Sequence, residues 1–326
     1  MVQQERKKQT IALCMIVKNE AGVITRALDS VKGFVDYYCI CDTGSTDGTQ
    51  LIIKDYLWDN ALSGEVHERP WVDFAHNRQE AFDLGSGRCD YIMTLDADEV
   101  FAPFQDKQAI LTQRVDKLPT LSADRIDTYT SYASILYTRT QFFKDGRNWK
   151  WYWPVHEICS ADDQESIELL SDACVVPSPD GSRARESNRY LRDAYIYEQW
   201  LLDHPEDARA WFYLSQSYRD GRRLDRAIEP LYKVLEYTQW AEERYMTHLR
   251  LARYKREGGA SFEEVLHHYW DAYNSKPDRR EAVYDMFVYY KETHPHLATV
   301  LRETLKLIPY PENDKLFVER DIYTKE

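Results

Sequence analysis

The chain has no apolar run long enough to cross a bilayer, and Met1 to Thr10 is charged and polar with no signal-like core behind it. These absences set the expectation of a soluble, cytoplasmic protein. Positive charge is in deficit: 42 Lys and Arg stand against 55 Asp and Glu, giving a net charge of −13. A general nucleic-acid binder gains its affinity by neutralising phosphates, so nucleic acid is disfavoured as a partner. Cysteine is scattered rather than paired (Cys14, Cys39, Cys41, Cys89, Cys159, Cys174), often inside apolar runs. That suits reduced, buried thiols better than a disulfide framework or a zinc site, since Cys39 and Cys41 lack a second ligand pair. What is present is enough for a packed core: 326 residues, 43% of them hydrophobic, with room for two domains.

Ile11 to Val17 is an apolar run broken by Lys18-Asn19-Glu20, after which Val23, Ile24, Ala27, Leu28 and Val31 fall at helical spacing. A second strand, Tyr37 to Cys41, ends at Asp42-Thr43-Gly44-Ser45-Thr46-Asp47-Gly48, and Leu51, Ile52 and Tyr56 mark another helix. Gly44 and Gly48 allow turns that other residues resist, and Ser45, Thr46 or Asp47 can cap the helix that follows. The β-α-β-α order implies parallel strands. A third apolar run, Tyr91 to Leu95, ends in Asp96-Ala97-Asp98-Glu99. On an extended chain Asp96 and Asp98 point the same way, and such a run delivers them to the carboxyl edge of the sheet, where open α/β folds bind ligands.

Each strand end has a plain alternative. A lone Asp-x-Asp is more often a solvated acidic turn, and Asp42 and the Val17-to-Glu20 segment (with Asn19 and Glu20 as its polar groups) are more often capping residues. Arg78 sits early in a helix just before the acidic strand, where its guanidinium can reach a diphosphate or form a surface ion pair. Three polar strand ends on one edge favour a ligand site.

Cys14 to Glu20, Asp42 to Thr49, Phe74 to Arg78 and Leu95 to Glu99 together resemble, in order and spacing, the catalytic domain of family 2 glycosyltransferases. The resemblance implies the GT-A fold, a Rossmann-like mixed sheet. It also implies a nucleotide-sugar donor, commonly a uridine diphosphate sugar, a divalent cation (Mn²⁺ or Mg²⁺) and inverting transfer. On it, Asp42 and Arg78 contact the nucleoside or diphosphate, Val17, Asn19, Glu20 and Ala97 line the donor, and Asp96 and Asp98 are the metal-associated pair.

A leaving diphosphate gathers charge that a cation held by hard carboxylate oxygens stabilises, and the acceptor needs a group to take its proton. Arg125 to Phe143 alternates as a β-ribbon does and leads into the aromatic segment Asn148 to Glu157. Val155-His156-Glu157 resembles a third element of the same family, which makes His156 a metal ligand. Glu157 is the candidate base together with Asp98 as a catalytic carboxylate; Glu99 and Asp145 compete for the role. Trp149, Trp151 and Trp153 share one face if extended and can stack on a sugar or simply pack. Asp172 to Asn188, with Pro177, Pro179 and Gly181, reads as an exposed loop whose Arg183 and Arg185 can close over a diphosphate, or as an inert linker.

From Tyr190 onward the period is helical. Trp211, Leu214, Ser215, Tyr218, Ala227, Leu231 and Val234, with Gly221 in the turn, match a tetratricopeptide hairpin; Leu249, Ala252, Val265, Tyr269, Ala272 and Pro277 match a second at a spacing of about 34 residues. A third copy, Arg280 through Leu307, is degenerate. The expected organisation is a catalytic α/β domain over 1–187 and an all-α tetratricopeptide-like domain over 188–326. The tail also resembles that of a family 2 subgroup with such repeats, and it can serve as a platform for a peptide, protein or glycan acceptor, or as a homodimer surface. Two competing readings remain: a sugar-phosphate nucleotidyltransferase, which would want a Gly-rich loop that Val17 to Glu20 lacks, and a catalytically decayed scaffold.

Overall fold

Seven mostly buried residues, Ile11–Val17, form β1, and the sheet grows outward from it. The computed structural model describes residues 8–106, 108–132, 135–312 and 314–324. In chain order the first elements are α1 (Ile24–Val31), β2 (Tyr37–Asp42), α2 (Thr49–Asp59), β3 (Gly64–Glu68), α3 (Phe74–Gly85), β4 (Tyr91–Thr94), β5 (Glu99–Gln105) and β6 (Gln108–Ala109). Then come β7 (Arg125–Tyr132), β8 (Ile135–Lys144), β9 (Trp149–Tyr152), β10 (Ile158–Ala161) and β11 (Ile167–Pro177). The order in the main sheet is β3-β2-β1-β4-β8-β7-β11-β5-β6. β1 pairs in parallel with β2 and β4, while β8 runs antiparallel to both β4 and β7, so the sheet is mixed.

Alternation along the strands sorts the core into two faces. Leu13, Met15, Tyr38, Ile40 and Met93 pack with Ile24, Leu28 and Val31 of α1 and Ile53 and Leu57 of α2. Cys14, Cys39, Cys41 and Ile92 face the other way, against Ala81 and Phe82 of α3 and Trp149 of β9. All six cysteines are free thiols, five of them buried. Trp149 and Trp151 pack edge-on against Phe143 and Phe82 and so belong to the core. The stretch expected to be an exposed loop from Asp172 is a strand as far as Pro177: Ala173, Cys174 and Val175 are buried between β7 and β5. Their apolar run outweighs the turn residues that follow.

The chain separates into two compact units, Met1–Ser187 and Asn188–Glu326. The second consists of α4 (Arg189–Asp203) and three helix pairs: α5 (Ala208–Asp220) with α6 (Leu224–Tyr237), α7 (Ala241–Glu257) with α8 (Phe262–Ser275), and α9 (Glu281–Thr293) with α10 (Pro295–Leu307), before the short α11 (Arg320–Thr324). Ala227, Ala252 and Ala272 are fully buried, where a small side chain lets helices approach closely. The degenerate third pair is shallow: α10 buries only Ala298 and Leu301. Its neighbour is anchored by a fully buried Arg279, whose guanidinium binds Glu281 and Asp314 and donates to the Leu316 carbonyl. Among the described residues, no helix is long and apolar enough to cross a membrane.

Candidate active site

The carboxyl ends of β1, β2 and β4 lie on one edge, since all three strands are parallel. Val17 and Asp42 are register partners at that edge, and Val17 is buried in the core. Asp42 is 1% exposed; its Oδ1 accepts from the backbone of Gly44 and Ser45 and from Gln50 Nε2, while Oδ2 is buried with no hydrogen-bond partner. Asn19, at φ 57°, joins the two strand-end loops by accepting from the Thr46 N–H at 2.8 Å. That is a loop-fixing bond between two parts of the chain.

β4 ends at Thr94, and residues 95–98 make a turn closed by the Glu99 N–H donating to the Asp96 carbonyl. Asp96 and Asp98 thus stand on a turn rather than on an extended strand, and Ala97 between them is buried among core side chains. Asp96 Oδ1 receives Arg78 Nη2 at 2.6 Å. Arg78 Nε in turn donates to Glu157 Oε1 at 2.5 Å, and the guanidinium lies 5.4 Å from the Trp151 ring. Burial opposes the Arg78 charge, but Asp96 and Glu157 hold its pKa above the ordinary value. Burial likewise opposes ionisation of Asp96, and Arg78, Arg139 and Arg183 overcome it and lower its pKa. Among the described residues the Asp98 carboxylate has no ion pair of this kind, and Arg26 acts on it only at longer range. Burial first, then the charges of Asp96, Glu99 and Glu20, push its carboxyl up to about 7.

Glu20 is 9% exposed and accepts from the backbone and hydroxyl of Ser182; burial raises its pKa against those bonds and against Arg185. The segment from Ser178 to Ser182 is thereby fastened over Asp98. The Ser178 N–H donates to the Asp98 carbonyl, Arg26 makes a bidentate pair with Asp180 at 2.7 Å, and a Cβ placed on Gly181 would collide with the Asp98 carboxylate. Arg183 stacks 4.5 Å from the Phe74 ring and acts on Asp96, and Arg185 acts on Glu20, so both basic residues stand beside the carboxylates.

His156, expected as a third ligand beside Asp96 and Asp98, lies in the loop between β9 and β10, exposed and at φ 52°. The candidate bases are engaged: Glu157 by Arg78, Glu99 by Arg139 at 2.6 Å, and Asp145 by Ser86 and Gly87. Arg139, Arg26, Gly181 and Ser182 escaped the sequence reading. Arg139 is one polar residue among several in an alternating strand, while Arg26 and Gly181 meet Asp98, and Ser182 meets Glu20, across at least 72 residues of chain.

The family model for glycosyl transferase family 2 matches residues 12–158, which hold the strand ends, the acidic turn, Arg78 and Glu157, though not the segment from Ser178 to Arg185. Residues 12–158 thus carry a glycosyl transferase family 2 domain. Its mixed sheet and the helical unit that follows are the fold class expected, a GT-A domain and tetratricopeptide-like repeats. Among relatives, a TPR repeat-containing protein of Synechococcus elongatus is 28% identical over 211 residues, which is 61% of this chain and 49% of that protein. An uncharacterized glycosyltransferase of Rickettsia felis is 35% identical over 91 residues, 28% of this chain and 29% of that one. The chain thus spans half or less of the length of these curated relatives. Among solved structures, the mannosyltransferase PcManGT of Pyrobaculum calidifontis in complex with GDP-Man and Mn²⁺ aligns over 92% of this chain and 86% of that chain, at 14% identity and a TM-score of 0.45.

Proposed function

We propose that the family 2 domain is a metal-dependent, inverting glycosyltransferase that moves a sugar from a nucleotide sugar, of the uridine diphosphate class, to a peptide or glycan acceptor. The observation that carries this reading is Asp98. A half-buried carboxyl crowded by three other carboxylates is stabilised in its ionised form by a cation, and Mg²⁺ or Mn²⁺ sites are commonly built from one or two carboxylates completed by phosphate oxygens. Asp98 fits as the principal protein ligand, and Asp96, whose Oδ1 receives Arg78, can offer its other oxygen. A bound ion there supplies charge neutralisation to the diphosphate as the sugar bond breaks.

The chain's own groups do the rest. Arg78, held in place by Glu157 and Trp151, together with Arg183 and Arg185, presents positive charge to the diphosphate. The unpartnered Oδ2 of Asp42 is an acceptor for a base N–H at the far end of the donor. The segment carrying Ser182 and Arg183 screens the site from water, which limits hydrolysis. The helical unit offers the acceptor platform.

A panel of nucleotide sugars tests the reading. With Mn²⁺ present, at least one donor is expected to be hydrolysed slowly, with loss of 100-fold or more (about 3 kcal/mol of transition-state stabilisation) in Asp98→Ala. Metal-independent turnover, or none with any donor, overturns it.

A further inference from the structure

The second helix pair carries a side-chain group for which the transferase chemistry has no use. His248 on α7 and His268 and Asp271 on α8 each offer one ligand atom, and the three atoms lie within 4.8 Å of one another. His268 and Asp271 are three residues apart on one helix and so share a face, opposite α7. We propose that His248, His268 and Asp271 form a binding site for a divalent transition-metal ion of the zinc class, bridging α7 to α8.

Two observations point to a ligand. His268 is only 4% exposed, yet its Nδ1 is buried with no hydrogen-bond partner, and the same is true of Nδ1 of His248. Buried imidazole nitrogens are normally engaged, so two idle ones in one cluster call for an occupant. His248 Nδ1 faces Asp271 Oδ2 at 3.9 Å, too far for a hydrogen bond but a natural spacing for two groups around an ion. A tetrahedral ion with bonds of about 2.0–2.2 Å sets its ligand atoms about 3.3–3.6 Å apart. Rotamer adjustment closes that difference, chiefly at Asp271, whose side chain is 48% exposed.

The donor set selects the ion. Two imidazoles and one carboxylate suit zinc, cobalt, nickel or copper rather than Mg²⁺ or Ca²⁺. Lys255 Nζ lies 3.4 Å from His268 Nε2, and Arg244 and His267 also act on the cluster; Asp271 supplies the opposing charge. Three protein ligands leave a fourth position for water or an external donor.

The full-length protein, stripped of metal, is titrated with Co²⁺ and then Zn²⁺. One equivalent of Co²⁺ is expected to give the visible absorption of a tetrahedral ion, displaced by Zn²⁺, with a rise in melting temperature. The band is lost in His248→Gln and its affinity falls tenfold or more in Asp271→Asn, a substitution at an exposed position that leaves packing intact; circular dichroism verifies the fold of both. It persists in Asp98→Ala, which separates this site from the transferase centre. Absence of the band, its persistence in both helical variants, or its loss in Asp98→Ala alone overturns the proposal.

Discussion

Asp98 favours a proton at neutral pH because burial and three neighbouring carboxylates oppose its charge. The sign of the linkage follows. The folded pKa, about 7, lies above the value of about 3.9 in an unfolded chain, so the associated stability is complete below pH 4 and is lost as pH rises towards 7. After a discount for solvent screening the loss is about 1–2 kcal/mol. In chelator, the difference in melting temperature between Asp98→Asn and the parent is therefore expected to grow in favour of the variant from pH 5 to pH 8. Added Mn²⁺ should stabilise only the parent. A pH-independent difference in thermal melts would show that Asp98 does not carry this load. At this scale the sequence showed which carboxylates exist and in what order. It could not show that Arg78 would be shared between Asp96 and Glu157, because Glu157 is 79 residues away and only the fold makes them neighbours.

Among the elements, α3 does most to set the geometry of the edge, since it carries Arg78. Asp73 caps it by accepting from the His76 N–H at 2.7 Å, and its last residue, Gly85, lies so near β1 that an added Cβ would overlap Cys14 Sγ. Gly85→Ala is expected to destabilise the protein by about 1–3 kcal/mol through overpacking, and Cys14→Ala in the same chain should restore much of that loss. Denaturant unfolding of the two single variants and the double variant measures the coupling; simple additivity would contradict it. The helices and the first strands were legible from apolar periodicity, since β1 falls on Ile11–Val17 as expected. The segment Asp172–Pro177 was not: Pro177, with Pro179 and Gly181 just beyond it, suggested a loop, and its pairing partners β7 and β5 lie far away in sequence.

The whole molecule holds two compact units with separate cores, so a single two-state transition is not its expected behaviour. Calorimetry is expected to show two transitions, the one belonging to the family 2 domain raised by nucleotide with Mn²⁺ and the other raised by Zn²⁺, each ligand acting by mass action on the unit that binds it. A ligand that moves both transitions equally would show that the units unfold as one. The sequence by itself determined the order of elements, the division between alternating and helical periods, and the motifs of the acidic edge, because these depend on residues close together along the chain. Tertiary structure alone decided which charges neutralise one another, that Asp98 is crowded by Asp96, Glu99 and Glu20, and that His248 meets His268 and Asp271 across a helix pair. Those outcomes depend on distance through space, which falls to a few ångströms only after strands and helices have packed.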